Sequence, residues 1–368
     1  MENYAIGLDK YELNTPALFL DLDKLDSNIE KMANFFEQRS ADLRPHMKTH
    51  KTPQIAHKQI EQGAIGITCQ KLEEAEVMSR SGIRDMLITN QIIGESKIRR
   101  LVHMARSTEV KAAVDNPENV TNISEAAQAK GVNVGLVVEL NIGMDRCGVE
   151  PGKPALELAQ LIEGKDGVKF MGLLGYEGHT VFIEDYNHRR EETEKALEKE
   201  VETAERIEKD GLACSIVSSG ATGTYDITGT YPGVTEVEAG SYATFDAKYS
   251  QLEGVGDQFE HAVTLLSTVI SRPAKSRAVL DVGMKALSTD FGIPVIASEE
   301  GDLKIRKLSE EHGYLQVGDS SRGPEVGEKV EIIPSHGCTT INLHDRFFGT
   351  RNGEVESVWP IAARGKFG

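Results

Sequence analysis

VNVGLVVELNIGMDRCGVEPGKPALELAQLIEGKDGVKFMGLLGYE, residues 132–177, contains one complete strand, helix and strand unit. VNVGLVVEL (132–140) is an almost unbroken β-branched and aliphatic run. Such runs arise where both faces of a strand are buried, as in a parallel sheet covered by helices. PALELAQLIEG is rich in helix formers and stops at Gly164, and VKFMGLLGYE (168–177) is apolar again. A parallel strand needs a crossover to return to its starting edge, and this helix is the right kind of connection.

The same alternation extends in both directions from this unit. Further strand candidates are ALFLDL (17–22), LRPHMK (43–48), IGITCQ (65–70), DMLITNQ (85–91), VKAAVDN (110–116), CSIVSSG (214–220) and TEVEAGSY (235–242). With the two above they make nine, one more than a closed eight-stranded barrel uses, so the first, ALFLDL, is available to another sheet. Amphipathic segments lie between them, several opening on Ser, Asp or Asn and closing at Gly82, Gly131 or Gly164. The charged stretch from Asp185 to Asp210 reads as a solvated helix carrying Glu pairs with Lys and Arg. After residue 250 helical periods largely disappear and short β-rich runs follow one another between Gly, Pro and charged turns. Pattern alone therefore predicts an α/β protein: a (β/α)8 TIM-type barrel over 15–245, then a β-rich C-terminal domain over 246–368 with residues 1–14 packed against it.

Composition agrees with a soluble two-domain globular protein. The chain has 368 residues, more than one core usually serves, with 39% apolar and 27% charged residues. Its 58 acidic against 41 basic side chains give a net charge of −17, which argues against a phosphate backbone as partner, so no nucleic acid is expected. No apolar run reaches membrane-spanning length and the start lacks a basic then apolar leader, so no membrane partner and a cytoplasmic location are expected. Cys69, Cys147, Cys214 and Cys338 form no CxxC pair and read as reduced thiols.

The chemistry starts at LRPHMKTHKTPQIA (43–56). Lys48 is expected at a strand end, where a barrel builds its active site, and lysine is the side chain that forms Schiff bases with carbonyl compounds. The segment RPHMKTHK, preceded by NTPALFLDLDKLDSNI (14–29), resembles the Schiff-base segment of pyridoxal enzymes with the alanine-racemase barrel (fold type III). The resemblance is specifically to the D-threonine aldolase and D-serine dehydratase family, and continues through CQKLEEAE (69–76), NIGMDRCGV (141–149), SSGATGT (218–224), EVEAGSY (236–242) and PSHGCTTINLHD (334–345). It covers nearly the whole chain in the family's order.

The resemblance implies pyridoxal 5'-phosphate held by Lys48, with Arg146 of GMDRCGV approaching the cofactor's phenolic oxygen, where a cation stabilises negative charge. Phosphate binding needs backbone amides and hydroxyls at close range, and Ser219, Gly220, Thr222, Gly223, Gly240, Ser241 and Tyr242 follow the last two strands, where barrels commonly hold phosphate. Glu238 matches the position of a partner for the pyridine nitrogen, and Tyr176 and His179 of GYEGHT are candidates to pack beside the ring or to move a substrate proton.

His336 and Cys338 form an HxC pair whose side chains, in a strand or tight turn, would fall on one side and share a cation. Two ligands are a thin motif by spacing, but the pair coincides with the family's divalent-metal site. D-serine dehydratases carry His and Cys there and the aldolase pattern carries His and Asp, so Cys338 departs from the latter. A thiolate favours zinc, a carboxylate manganese or magnesium. The family's substrates are D-3-hydroxy amino acids. Aldol cleavage of D-threonine is the leading expectation, with D-serine dehydration and dehydration or cleavage of 3-hydroxy-D-aspartate as the alternative. An amino-acid racemase or a non-catalytic pyridoxal-binding barrel fits less well, since racemases lack the HxC pair and the binding barrels lack the region after 250. The resemblance also implies a homodimer.

Overall fold

The computed structural model describes residues 3–297, 302–319 and 322–368. The chain forms two compact units. One comprises residues 32–48, 53–240 and 366–368, the other 1–31, 49–52 and 241–365.

The first strand, β1 (Ala17–Asp21), belongs to the second unit. The next eight build one parallel sheet: β2 (Asp42–Leu43), β3 (Ile67–Cys69), β4 (Asp85–Ile88), β5 (Glu109–Val114), β6 (Val134–Leu140), β7 (Val168–Gly175), β8 (Ile216–Ser219) and β9 (Glu236–Val237). They lie in the order β2, β9, β8, β7, β6, β5, β4, β3. The two ends of that order meet through a parallel bridge between His46 and Thr68, with Met47 N donating to Thr68 O at 2.9 Å and Thr68 N to Pro45 O at 2.9 Å. The ring is thereby closed, as a (β/α)8 barrel requires.

β2 is much shorter than the strand candidate at 43–48 because Pro45 has no amide to give the ladder. The chain still tracks β9 beyond it, with Arg44 N on Val237 O at 3.0 Å and His46 N on Ala239 O at 3.1 Å. Lys48 therefore sits in the turn after this irregular edge rather than at a regular strand end, which corrects the expectation. Leu87, Ala113, Val137, Leu174 and Ile216, one from each of β4 to β8, form an apolar cluster. Gly172 on β7 has φ +145°, and a Cβ there would overlap the carbonyl of Ile216, so only glycine lets β7 and β8 approach this closely. At the strand starts the buried Arg44 bridges Glu236 (2.9 Å) and Asp85, and Lys111 joins Asp85 at 3.0 Å. This network lies at the barrel's N-terminal end and reads as stability rather than chemistry.

The crossovers are α1 (Leu22–Glu37), α2 (Pro53–Glu61), α3 (Leu72–Arg80), α4 (Glu95–Met104), α5 (Pro117–Gln128), α6 (Lys153–Glu163), α7 (Tyr186–Lys209) and the short α8 (Tyr225–Thr228). α7 carries the expected exposed pairs, Arg190 with Glu194 at 2.7 Å and Lys195 with Glu191 at 2.8 Å. It also has a buried face containing Arg189 and Glu200, which its charged composition concealed.

In the second unit β1 pairs antiparallel with β10 (Val263–Ala274) and parallel with a late strand at Arg346–Arg351. The intervening strands are β11 (Arg277–Leu280), β12 (Val295–Ile296), β13 (Leu303–Leu308), β14 (Gly313–Val317) and β15 (Lys329–Ile333). The last two are β16 (Arg346–Arg351) and β17 (Glu354–Pro360). Among the described residues the sheet has nine strands, mostly antiparallel, and the register of β10 with β11 slips around Pro273, where a ladder donor is missing. Ala5, Leu13, Ala17, Phe19, Leu266 and Val355 form its apolar cluster. A one-turn helix, α9 (Gly337–Ile341), interrupts the β pattern.

Candidate active site

In the barrel unit the half-buried Lys48 donates its backbone N–H to His46 Nδ1 at 3.4 Å. Its ammonium stands 5.6 Å from the ring centroid of Tyr176, and the Arg146 guanidinium stands 5.4 Å from the same ring. Three of the residues singled out from sequence thus meet around one phenol. Arg146 is exposed, on the excursion between Leu140 and Val149, whose ends are joined by a parallel bridge. His179 is also exposed and packs on Gly143 of that excursion, where a Cβ would come within 2.8 Å of the imidazole.

Glu238 is buried and accepts a hydrogen bond from Ser218 Oγ at 2.9 Å. Burial pushes its carboxyl up to about 8. Ser218 works against that, Glu236 adds to it, and the charges of Lys48 and Arg44 oppose it. A carboxyl poised near neutrality can share a proton with a heteroaromatic nitrogen, the task expected of it.

The turn after β8 is wholly buried from Ser219 to Thr224. Ser219 Oγ donates to Gly175 O at 3.0 Å and to Glu200. Gly220 has φ +94° and gives its amide to Glu177 Oε2 at 3.1 Å, so that amide is engaged within the turn. Thr222 and Gly223 occupy the turn's apex. Glu177 also accepts from Thr224 Oγ1 at 2.7 Å and Thr228 Oγ1 at 2.8 Å, which makes it the latch of the whole turn. Sequence reasoning passed over Glu177 although it lies between Tyr176 and His179, since nothing local announces partners more than forty residues away. Gly240 lies against the backbone of His46, and a Cβ there would overlap the His46 carbonyl. An amine, a proton-sharing carboxyl and a buried turn of hydroxyls and glycine fit pyridoxal phosphate.

In the second unit Ser241 Oγ lies 3.4 Å from Thr49 Oγ1, and the fully buried Tyr242 packs its ring 5.8 Å from that of Phe259. His336 is the residue before α9 and Cys338 falls in its first turn, so the HxC pair lies at the start of a short helix. His336 Nδ1 is 2.6 Å from Asp290 Oδ2, and its ring stacks on Phe291 at 3.8 Å and 7°. Cys338 Sγ lies 3.2 Å from Thr49 Oγ1. Asp246 anchors the turn by accepting from Gly337 N at 2.9 Å. Burial disfavours charge on His336, but hydrogen bonds and charge from Cys338 and Asp290 prevail and raise it to about 9. Among the described residues no group of three or more His, Cys, Asp and Glu side chains gathers to hold a metal. A nitrogen and a sulfur ligand fit a borderline divalent cation whose other positions go to water or substrate.

A closed parallel barrel with a lysine and an arginine about one phenol defines an alanine-racemase-like enzyme barrel. Residues 20–248 match the alanine racemase N-terminal domain family and residues 262–350 the putative serine dehydratase domain family. The chain is 36% identical over 354 residues to D-threonine aldolase of an Arthrobacter species, covering 96% of this chain and 93% of that one. It is 35% identical over 368 residues to 3-hydroxy-D-aspartate aldolase of Paracoccus denitrificans (strain Pd 1222), covering 98% and 94%. The crystal structure of D-threonine aldolase from Filomicrobium marinum superposes with a TM-score of 0.95 at 38% identity, covering 98% of each chain. The chain belongs to the alanine-racemase-like family that includes these aldolases, and the aldolases it matches are lyases.

Proposed function

We propose that this protein is a pyridoxal phosphate- and divalent-metal-dependent lyase that cleaves a D-3-hydroxy amino acid such as D-threonine to glycine and an aldehyde. The observation that carries the reading is the convergence of Lys48, Tyr176 and Arg146, on a chain 36% identical to a D-threonine aldolase. When bound, the cofactor would supply an electron sink for the pair left at Cα as the bond to Cβ breaks. Lys48 would supply the amine that carries it and afterwards, as an ammonium close to Cα, a proton for the carbon left as glycine. Tyr176 presents its ring to both cations and limits how the amine can swing. Arg146 offers positive charge to an anionic oxygen. Glu238 holds or yields a proton at the heteroaromatic nitrogen, and Thr222 and Gly223 offer a hydroxyl and backbone to the phosphate. His336 and Cys338 would hold a cation that lowers the pKa of the substrate's β-hydroxyl.

Cys338 favours a second reading, loss of the β-hydroxyl as water from D-serine or 3-hydroxy-D-aspartate, giving a keto acid and ammonia. Products separate the two: glycine and acetaldehyde from D-threonine support the aldolase, and ammonia without glycine supports the dehydratase. Full turnover of both substrates after exhaustive chelation, with no metal in the protein, would overturn both. A homodimer in the cytoplasm belongs to the same proposal. The four free cysteines support a reducing compartment, and no helix among the described residues is long and apolar enough to cross a membrane. The mass in solution tests the dimer.

A further inference from the structure

His336 must present one particular nitrogen if it is to share a cation with Cys338, and a histidine alone does not choose between its two. Here the choice is made 46 residues upstream. Asp290 Oδ2 lies 2.6 Å from Nδ1, and an ionised carboxylate can only accept, so Nδ1 keeps its hydrogen and Nε2 is the nitrogen left to give a lone pair to a cation. The ring plane is fixed separately by Phe291, which stacks on it at 3.8 Å and 7°. Asp290 is itself held: its Oδ1 accepts from Ser288 Oγ at 2.5 Å and from Thr339 Oγ1 at 3.0 Å. Thr339 follows Cys338 directly, so the carboxylate that orients the imidazole also fastens the turn bearing the thiol. Every group named lies in the same unit.

We propose that Asp290 is the positioning residue of the metal centre, fixing the Nδ1–H form of His336 so that Nε2 faces the cation, with Phe291 setting the ring plane. The proposal rests on the metal-dependent reading above and deepens it. A carboxylate on the far nitrogen also makes the imidazole a better donor, and losing such a partner typically weakens metal binding 10–100-fold.

The test uses the full-length protein with its cofactor, stripped of metal by chelation, and titrated with Mn2+ while the resonance of the free ion is followed. His336→Ala and Cys338→Ala report whether the pair binds the ion at all. Asp290→Asn should weaken binding about 10–100-fold while the cofactor absorbance stays unchanged. With Co2+ in place of Mn2+, the same variant should keep the thiolate-to-cobalt charge-transfer band, since Cys338 remains a ligand. Ser288→Ala, which loosens Asp290 without touching His336, should weaken binding in the same direction by less. It carries the test if Asp290→Asn fails to fold.

Wild-type affinity in Asp290→Asn, or in Ser288→Ala where that variant stands in, overturns the proposal when His336→Ala has lost the ion. Loss of the thiolate band together with affinity in Asp290→Asn also overturns it, because Asp290 would then be scaffold for the whole turn. If His336→Ala and Cys338→Ala both bind Mn2+ as the wild type does, the metal reading itself has failed and this inference goes with it.

Discussion

Replacing Glu200 by glutamine should make the protein less sensitive to alkali. Glu200 lies on the buried face of α7, fully enclosed, with Ser219 Oγ donating to one carboxyl oxygen and no hydrogen bond to the other among the described residues. Burial pushes its pKa from 4.5 to about 8. The Ser219 hydrogen bond opposes the shift, the charges of Glu177 and Glu238 add to it, and a backbone contact with Gly175 opposes it. Between those two values the folded protein keeps a proton that the unfolded chain has released. Stability therefore falls as pH rises from 4.5 to about 8 and is level above that. At about 1.4 kcal/mol per pH unit, the loss has a ceiling of about 5 kcal/mol. Glutamine is neutral throughout and escapes it. The assay is thermal unfolding of both proteins at about pH 5 and about pH 9, where titrating groups that do not interact with Glu200 cancel in the difference. The unfolding temperature of the variant relative to the wild type should rise between the two conditions by up to about 10–20 °C for a unit of this size. Infrared difference spectra at neutral pH should also show a protonated carboxyl band in the wild type that the variant lacks. A temperature difference constant to within about 1 °C would refute the reasoning.

Lys48→Ala should abolish the borohydride-fixable cofactor band of the purified protein, and a reduced label mapping to Lys51 instead would refute the assignment of the amine. Gly240→Ala should cost about 1–3 kcal/mol, because its Cβ meets the immovable His46 carbonyl and two backbone segments must separate. An unchanged unfolding temperature would show that they separate freely.

The barrel was legible in the sequence because strands buried on both faces must be apolar at every position, so VNVGLVVEL and its counterparts read as strands without any tertiary knowledge. The surplus ninth run found its place for the same reason: ALFLDL is buried along its length and completes the other sheet. Lys48 and the HxC pair were legible as chemistry, since a family resemblance preserves residue types in order. Their settings were not. Pro45 stops β2 early, and the His46 to Thr68 bridge that closes the ring joins residues with no mutual signature. Glu200 and Arg189 sit in a helix so charged that only packing reveals which turn faces inward. Glu177 on Gly220 and Asp290 on His336 join positions 43 and 46 residues apart. Closing such loops costs free energy that grows only with the logarithm of their length, so the fold can choose distant partners almost as readily as near ones. A linear sequence therefore identifies a reactive side chain long before it can say which carboxylate will hold it, because that contact exists only once the helices and sheets have packed.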